Sequence, residues 1–211
     1  MVFQLDNRIW FPDPYLADPD GLLAIGGDLC IDRLLLAYSH GIFPWYPYEE
    51  EEPMWFCPHE RFVIFPNEIH ISHSMRTLKN KGIYHVTFNE DFEGVINYCS
   101  QLRIEEAGAW LGPDMVEAYI DLHDEGYAFS VETRDQEEKL IGGLYGVQIN
   151  KAFIGESMFS LVPNASKIAL IALAQHLQEQ GGTLIDCQFE TSHLKSMGGR
   201  FISYNEYMEL I

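Results

Sequence analysis

Three short stretches of this 211-residue chain hold polar groups where a reaction or a charged ligand would use them. In FIGESMFS, residues 153 to 160, a single carboxylate, Glu156, interrupts a run that is otherwise apolar and small. An unpaired ionised carboxylate in an apolar interior is very costly, so Glu156 either has a partner inside the protein or lines a cleft that receives a cation or a polar ligand. In LIDCQF, residues 184 to 189, strand alternation sets Asp186 and Gln188 on one face and Ile185, Cys187 and Phe189 on the other. That pair reads either as core polar groups that satisfy each other or as two groups converging on a crevice. Between Ile69 and Phe88, Arg76, Lys79 and Lys81 stand with His70, His73 and His85, and no Asp or Glu is among them. The window is either a solvated helix face or a local phosphate-binding strip.

The strip is notable because the whole chain has 13 Lys and Arg against 32 Asp and Glu, a net charge of −19. That balance argues against a general nucleic-acid surface and favours basic partners. A hydrophobic content of 47% is ample for a core. No run of 18 apolar residues occurs, and Asp6 and Arg8 stand where a signal peptide would place its apolar segment, which predicts a soluble, cytoplasmic protein. The four cysteines, Cys30, Cys57, Cys99 and Cys187, have no paired C-x-x-C spacing, so they predict neither a zinc site nor a disulfide framework but four buried thiols.

The elements that position these groups follow from punctuation and periodicity. Residues 1 to 61 are loop-rich, hold most of the prolines, and contain one short helix, IDRLLLAYSHG, with a cap at Asp32 and a stop at Gly41. Residues 62 to 211 alternate helical and strand patterns. NEDFEGVINYCSQL and PDMVEAYIDLHDEG predict amphipathic helices, the second with Pro113 near its first turn and a stop at Gly126. YAFSVETR, KLIGGLYGVQI and KAFIGESMFS predict antiparallel strands, with Asn150 and Lys151 as a tight hairpin connection. A helix follows, capped by Asn164 and ended by Gly181 and Gly182, and TLIDCQFE returns as a strand. Strand, helix, strand implies a crossover that gathers the strand ends and the helix N-terminus around one crevice, with Glu156, Met158 and Ser160 on one strand face. Leu144, Phe153, Met158, Leu170, Leu173 and Leu177 are available as apolar lining, each also able to serve simply as core.

The motifs GLLAIGGDL at 21 to 29, GIFPW at 41 to 45, GGLYGV at 142 to 147, GESMFS at 155 to 160, NASK at 164 to 167 and LIDCQ at 184 to 188, ordered along nearly the whole chain, resemble the leucyl/phenylalanyl-tRNA-protein transferases. The resemblance implies an α+β fold: a small N-terminal domain joined to a GNAT-type acyltransferase domain with a mixed, largely antiparallel sheet flanked by helices. It implies transfer of Leu or Phe, and less so Met, from aminoacyl-tRNA to the α-amino group of proteins that begin with Arg or Lys, marking them for the N-degron route. No metal, nucleotide or other cofactor is implied, and nothing requires more than a monomer.

Carried over by resemblance, Trp45 and Trp110 hold the terminal adenosine, the six apolar residues named above with Ser160 form the aminoacyl pocket, Asp186 and Gln188 serve the chemistry, and Arg76, Lys79 and Lys81 meet the acceptor arm. Where the family carries WWSPDPR this chain reads WFCPHER, which sets Phe56 and Cys57 near the adenosine site. An aminoacyl ester is already activated and an α-amino group has a pKa near about 7.7 to 8.0, so a covalent enzyme intermediate is unnecessary. The site must accept or relay the amine proton, orient the nucleophile and stabilise the oxyanion. Gln188 reads as the orienting group, with Asp186 as its polariser or as the electrostatic partner of the ammonium, and Glu156 as the partner of the incoming Arg, Lys or α-ammonium; the resemblance leaves open whether Gln188 relays the amine proton or the substrate shuttles its own. A small-molecule acyltransferase on the same fold would need a Gly-rich pyrophosphate loop, which LVPNASK is not, and a non-catalytic adaptor for basic N-termini would not need Asp186, Gln188 and both tryptophans.

Overall fold

The computed structural model describes residues 2–47, 52–104 and 110–211, and the Glu49–Glu51 run lies outside them. The protein is mixed α and β, with two sheets. The first has four short strands, β1 (Phe3–Leu5), β2 (Leu22–Gly26), β3 (Phe43–Pro44) and β4 (Met54–Phe56), in the order β1-β2-β4-β3. Only β1 and β2 run parallel. The stretch expected to be loop-rich therefore contains a sheet, built from strands too short and too proline-broken to show period-2 alternation.

The helix of this region, α1 (Ile31–Ser39), starts at Cys30 rather than Asp32, because the Asp28 carboxylate accepts the Cys30 N–H at 3.2 Å. It stops at Gly41, whose φ of +69° suits a residue without Cβ.

The second sheet has seven strands in the order β11-β5-β10-β9-β8-β7-β6. They are β5 (Glu60–Ile64), β6 (His85–Phe88), β7 (Ala128–Arg134), β8 (Leu140–Ile149), β9 (Ala152–Ser160), β10 (Ile185–Asp186) and β11 (Arg200–Ser203). All neighbours are antiparallel except β9 and β10. The helices are α2 (His73–Asn80), α3 (Phe92–Ile104), α4 (Pro113–Asp124), α5 (Ala165–Glu179), α6 (Ser192–Ser196) and α7 (Tyr204–Leu210).

Side-chain alternation divides the second sheet between two cores. Tyr145, Val147, Ile154 and Phe159 face α3 and α4 and join a core that runs on into the first sheet through Leu23, Leu34 and Trp55. Leu144, Phe153 and Val131 face α5, which buries Ile168, Leu170, Ile171, Leu173 and Leu177 against them. Each such leucine contributes about 1.5–3 kcal/mol through removal from water. Two glycines of β8 permit the close approaches. A Cβ on Gly142 would collide with Ala165 at the start of α5, and one on Gly146 would collide with the Phe153 ring and the Ile154 carbonyl.

β8 and β9 do not pair evenly: Tyr145 opposes Ser157 and Gly146 opposes Gly155, so Glu156 is one extra residue in β9. The bulge shifts the phase of the strand, so that Phe153 before it and Met158 after it belong to the same α5-side core. Glu156 consequently does not share a face with Met158 and Ser160, contrary to simple alternation.

Two smaller expectations also change. Asn164 occupies the cap position of α5 in a left-handed conformation, φ +71°, without a side-chain bond to the helix. Ser160 supplies that bond instead, its Oγ accepting the Ser166 N–H at 2.9 Å. Of the cysteines, Cys57 and Cys99 are buried, Cys187 is half-buried and Cys30 is exposed.

Candidate active site

The site arises where two parallel strands part. β9 and β10 pair only at Phe153 with Ile185 and at Ile154 with Asp186. Beyond Asp186 the chain follows β5 instead: the Cys187 N–H bonds to the Phe62 carbonyl at 2.9 Å, and the Phe62 N–H to the Gln188 carbonyl at 3.3 Å. Gln188 completes the departure at φ +57°. The alternation expected through Phe189 therefore ends at Asp186, and Cys187, Gln188 and Phe189 in succession all border the gap. α5 closes it on one side, giving a cavity of about 630 Å³ at the carboxyl ends of the strands.

Leu144, Phe153, Met158, Leu170 and Leu173 line this cavity, joined by Ile185. Leu177 does not. It lies one turn further along α5, in the same core, against a second cavity of about 300 Å³. Ser160 is outside the lining too, engaged with Ser166 as described. Trp45 and Trp110 both border the first cavity. Trp45 is 42% exposed, and its ring meets Phe56 at 5.4 Å and Phe189 at 5.2 Å between centroids. Phe56 thus supports Trp45 directly, while the neighbouring Trp55 is fully buried with its indole N–H on the Gly26 carbonyl at 2.9 Å.

Glu156 has partners and also borders the cavity. The Tyr38 hydroxyl donates to its Oε1 and the Tyr119 hydroxyl to its Oε2, each at 2.8 Å, and the two hydroxyl oxygens are 2.5 Å apart. Burial pushes the Glu156 carboxyl up to about 7, the tyrosine hydroxyls oppose that shift, and the nearby Asp186 charge adds to it. Both tyrosines are held well above their ordinary range, by burial first and then by the Glu156 charge, so they remain donors. A cation entering the cavity would favour the ionised carboxylate.

Asp186 also borders the cavity, but it is fully buried and both its oxygens are engaged by protein groups. Oδ2 receives the Tyr207 hydroxyl at 2.8 Å and faces Nη1 of Arg61 at 3.4 Å, while Oδ1 receives the Gln188 N–H at 2.8 Å. Burial raises its pKa, and Arg61, the Gln188 amide and Tyr207 pull it back. Arg61, buried between the rings of Phe43 and Tyr207 and bonded through Nη2 to the Gly41 carbonyl, cannot shed its charge, which makes the pair ionic at neutral pH. Asp186 therefore reaches Gln188 through the backbone, fixing its left-handed conformation, rather than through the side-chain amide.

Arg61, Tyr38, Tyr119 and Tyr207 escaped the sequence reading. An arginine heading the apolar run RFVIF was the available signal, since a buried guanidinium requires an anion. Two further cavity residues, Ser157 and His193, have buried polar atoms, Oγ and Nε2, with no hydrogen-bond partner among the described residues. Burial and then Lys167 hold the His193 pKa below its ordinary value.

Arg76 and Lys79 on α2, and Lys81 at its end, are exposed and away from the cavity lining. Lys79 donates to Oε1 of Gln175 at 2.5 Å. Among the described residues no cluster of His, Cys, Asp and Glu could hold a metal ion, and no helix is long and apolar enough to cross a membrane.

The family model described as leucyl/phenylalanyl-tRNA protein transferase matches residues 63–211, and the one for that family's N-terminal domain matches residues 27–59. The chain is 48% identical over its full length to the leucyl/phenylalanyl-tRNA–protein transferase of Flavobacterium johnsoniae, 99% of which is covered. It is 48% identical, again over its full length, to the like-named protein of Syntrophobacter fumaroxidans, 89% of which is covered. Among solved structures, L-PGS from Bacillus licheniformis aligns with 78% of this chain and 51% of its own at a TM-score of 0.44 and 15% identity.

Proposed function

The chain belongs to the leucyl/phenylalanyl-tRNA–protein transferase family, enzymes that transfer an aminoacyl group from tRNA to protein, and on that premise we propose which substrates it joins and which residues join them. The donor is tRNA charged with Leu or Phe, with Met a poorer donor. The acceptor is the α-amino group of a protein that begins with Arg or Lys, which the product commits to the N-degron route. The enzyme acts as a cytoplasmic monomer. Its residues 1–61 form a small N-terminal domain and residues 62–211 a GNAT-type domain: the first sheet ends at Phe56, β5 of the second already begins at Glu60, and the parting of β9 from β10 suits the second domain.

The observation that carries this reading is one cavity bordered by an apolar lining, two tryptophans and two carboxylates, Asp186 engaged by Arg61 and Tyr207 and Glu156 raised to about 7. Its volume falls within the roughly 300–1,000 Å³ usual for ligand sites. A Leu or Phe side chain seated against Leu144, Phe153, Met158, Leu170 and Leu173 gains about 1.5–3 kcal/mol, and a polar one leaves groups unpaired. Trp45 and Trp110 stack the terminal adenine without reading further sequence. The Glu156 carboxylate receives the Arg or Lys side chain or the α-ammonium, and Arg76, Lys79 and Lys81 receive acceptor-arm phosphates.

In the reaction the neutral α-amine attacks the ester carbonyl carbon. A carbon–nitrogen bond forms, the ester carbon–oxygen bond breaks, and the amine's proton ends on the departing ribose oxygen. Gln188 orients the amine through its side-chain amide, and Asp186, locked by Arg61 and Tyr207, holds Gln188 in place. The energy comes from positioning an activated ester beside an amine with a sizeable neutral fraction, so no covalent intermediate is required.

The test is transfer of labelled Leu or Phe from charged tRNA to peptides that begin with Arg, Lys or Glu. Transfer to the first two and not the third is expected. Gln188→Asn, which withdraws the amide by one methylene and tolerates the left-handed backbone, should lower kcat by about 10²-fold or more with tRNA affinity retained. Equal transfer to the Glu-starting peptide would reject the acceptor class.

A further inference from the structure

The aminoacyl cavity does not end against solid core. Phe153 and Leu173 line both it and the second cavity of about 300 Å³. The sheet register shows why Phe153 stands at the boundary. Its neighbour on one side, Ile185 of β10, borders the first cavity, and its neighbour on the other, Gln148 of β8, borders the second. Leu173 meets it from α5, between Leu170, which touches only the first cavity, and Leu177, which touches only the second. The Phe153 ring itself lies over Gly146, where any Cβ would displace it.

Beyond this wall the second cavity continues with an apolar floor of Phe129, Val131 and Leu177. Gln148, Asn150, His176 and Gln180 are polar groups at its border.

We propose that Phe153 and Leu173 form a partition that sets the upper length of the aminoacyl side chain the enzyme accepts, and that the second cavity is the space they withhold. The proposal rests on the reading of the first cavity as the aminoacyl pocket. A Phe or Leu side chain fills the space up to the partition. A longer rigid side chain must displace Phe153, which is wedged over Gly146, or Leu173, which is anchored between two turns of a buried helix face. Removing either side chain joins the two volumes along the direction in which a para-substituted ring would extend. The apolar lining then excludes polar side chains, and the wall of Phe153 and Leu173 sets the length limit.

The experiment charges one tRNA with Leu, Phe or 4-phenylphenylalanine and measures kcat/KM for transfer to an Arg-starting peptide. Wild type should use Leu and Phe and strongly discriminate against the biphenyl side chain. Phe153→Ala and Leu173→Ala should each raise the ratio of 4-phenylphenylalanine to Leu by about tenfold or more, the scale on which pocket volume discriminates between substrates. Leu177→Ala, which enlarges only the second cavity and leaves the partition standing, should leave that ratio within about twofold.

Thermal melts establish that each variant is folded. Phe153→Val and Leu173→Val, milder truncations of the same wall, should move the ratio in the same direction. An equal rise in Leu177→Ala, or no rise in folded variants of Phe153 and Leu173, would overturn the partition. Wild-type protein that transfers neither Leu nor Phe would remove the pocket reading itself, a result distinct from either of these.

Discussion

The hydroxyl of Tyr38 in α1 donates a 2.8 Å hydrogen bond to Glu156 in the bulge of β9, tying a helix of the N-terminal region to a carboxylate that borders the cavity. Tyr119 of α4 makes the matching bond to the other oxygen. Two neutral donors stabilise a carboxylate without neutralising it, so Glu156 keeps its capacity for a cationic ligand while remaining costly to ionise in the empty site.

That cost gives the protein a defined pH dependence. The Glu156 carboxyl is raised from an ordinary 4.5 to about 7, so between those values the native state holds more protons than the unfolded chain. Its contribution to stability is therefore complete below 4.5, falls as pH rises through 7, and is level above. Glu156→Gln, which keeps an acceptor for one tyrosine and adds a donor for the other, should melt increasingly above wild type as pH goes from 5 to 8. A melting difference that stays constant across that range would show that Glu156 is not raised.

The buried pair of Arg61 and Asp186 should behave differently when broken once and when removed whole. Arg61→Met leaves Asp186 with only Tyr207 and the Gln188 amide, and Asp186→Leu strands the guanidinium, so each should cost about 3–5 kcal/mol in urea unfolding. The double variant should cost less than the sum of the two, because no unpaired charge remains. Tyr207→Phe, which removes one donor from Oδ2, should cost about 1–3 kcal/mol. Additive single costs would mean that the two charges are not coupled.

The helices α4 and α5 and the hairpin of β8 with β9 were legible because each is punctuated locally, by Pro113 and Gly126, by Gly181 and by the Asn150–Lys151 turn, and α3 was legible from its periodicity. The first sheet was not, since β1 and β2 pair in parallel across an intervening stretch and β3 contains a proline, so neither shows a strand pattern of its own. In the site the apolar lining could be read from the sequence, but its depth could not. Leu170, Leu173 and Leu177 share a helix face, and only the seating of α5 on Phe153 decides which of them bound the first cavity. Glu156 and Asp186 were recognisable as charges needing partners. Their partners, Tyr38, Tyr119, Arg61 and Tyr207, come from distant segments, and the inserted residue of the bulge reverses the side that alternation assigns to Glu156.

Affinity for aminoacyl-tRNA should divide into a part that salt leaves alone and a part that salt erodes. Trp45 is 42% exposed and anchored only by ring contacts, so Trp45→Ala should fold normally while losing its share of adenine stacking, about 1–3 kcal/mol. That loss raises KM for aminoacyl-tRNA by about 5- to 150-fold at every salt concentration, shifting a plot of log KM against log salt without changing its slope. Arg76 is exposed on α2 and would act through phosphate charge, so Arg76→Glu should instead flatten the slope by about one unit and have its largest effect at low salt. The acidic body of the protein sharpens the contrast, because a net charge of −19 opposes tRNA overall and the acid-free window from Ile69 to Phe88 is a local exception. Steady-state transfer measured across about 50 to 300 mM salt separates the two variants, and an Arg76→Glu line parallel to wild type would move the acceptor arm to another surface.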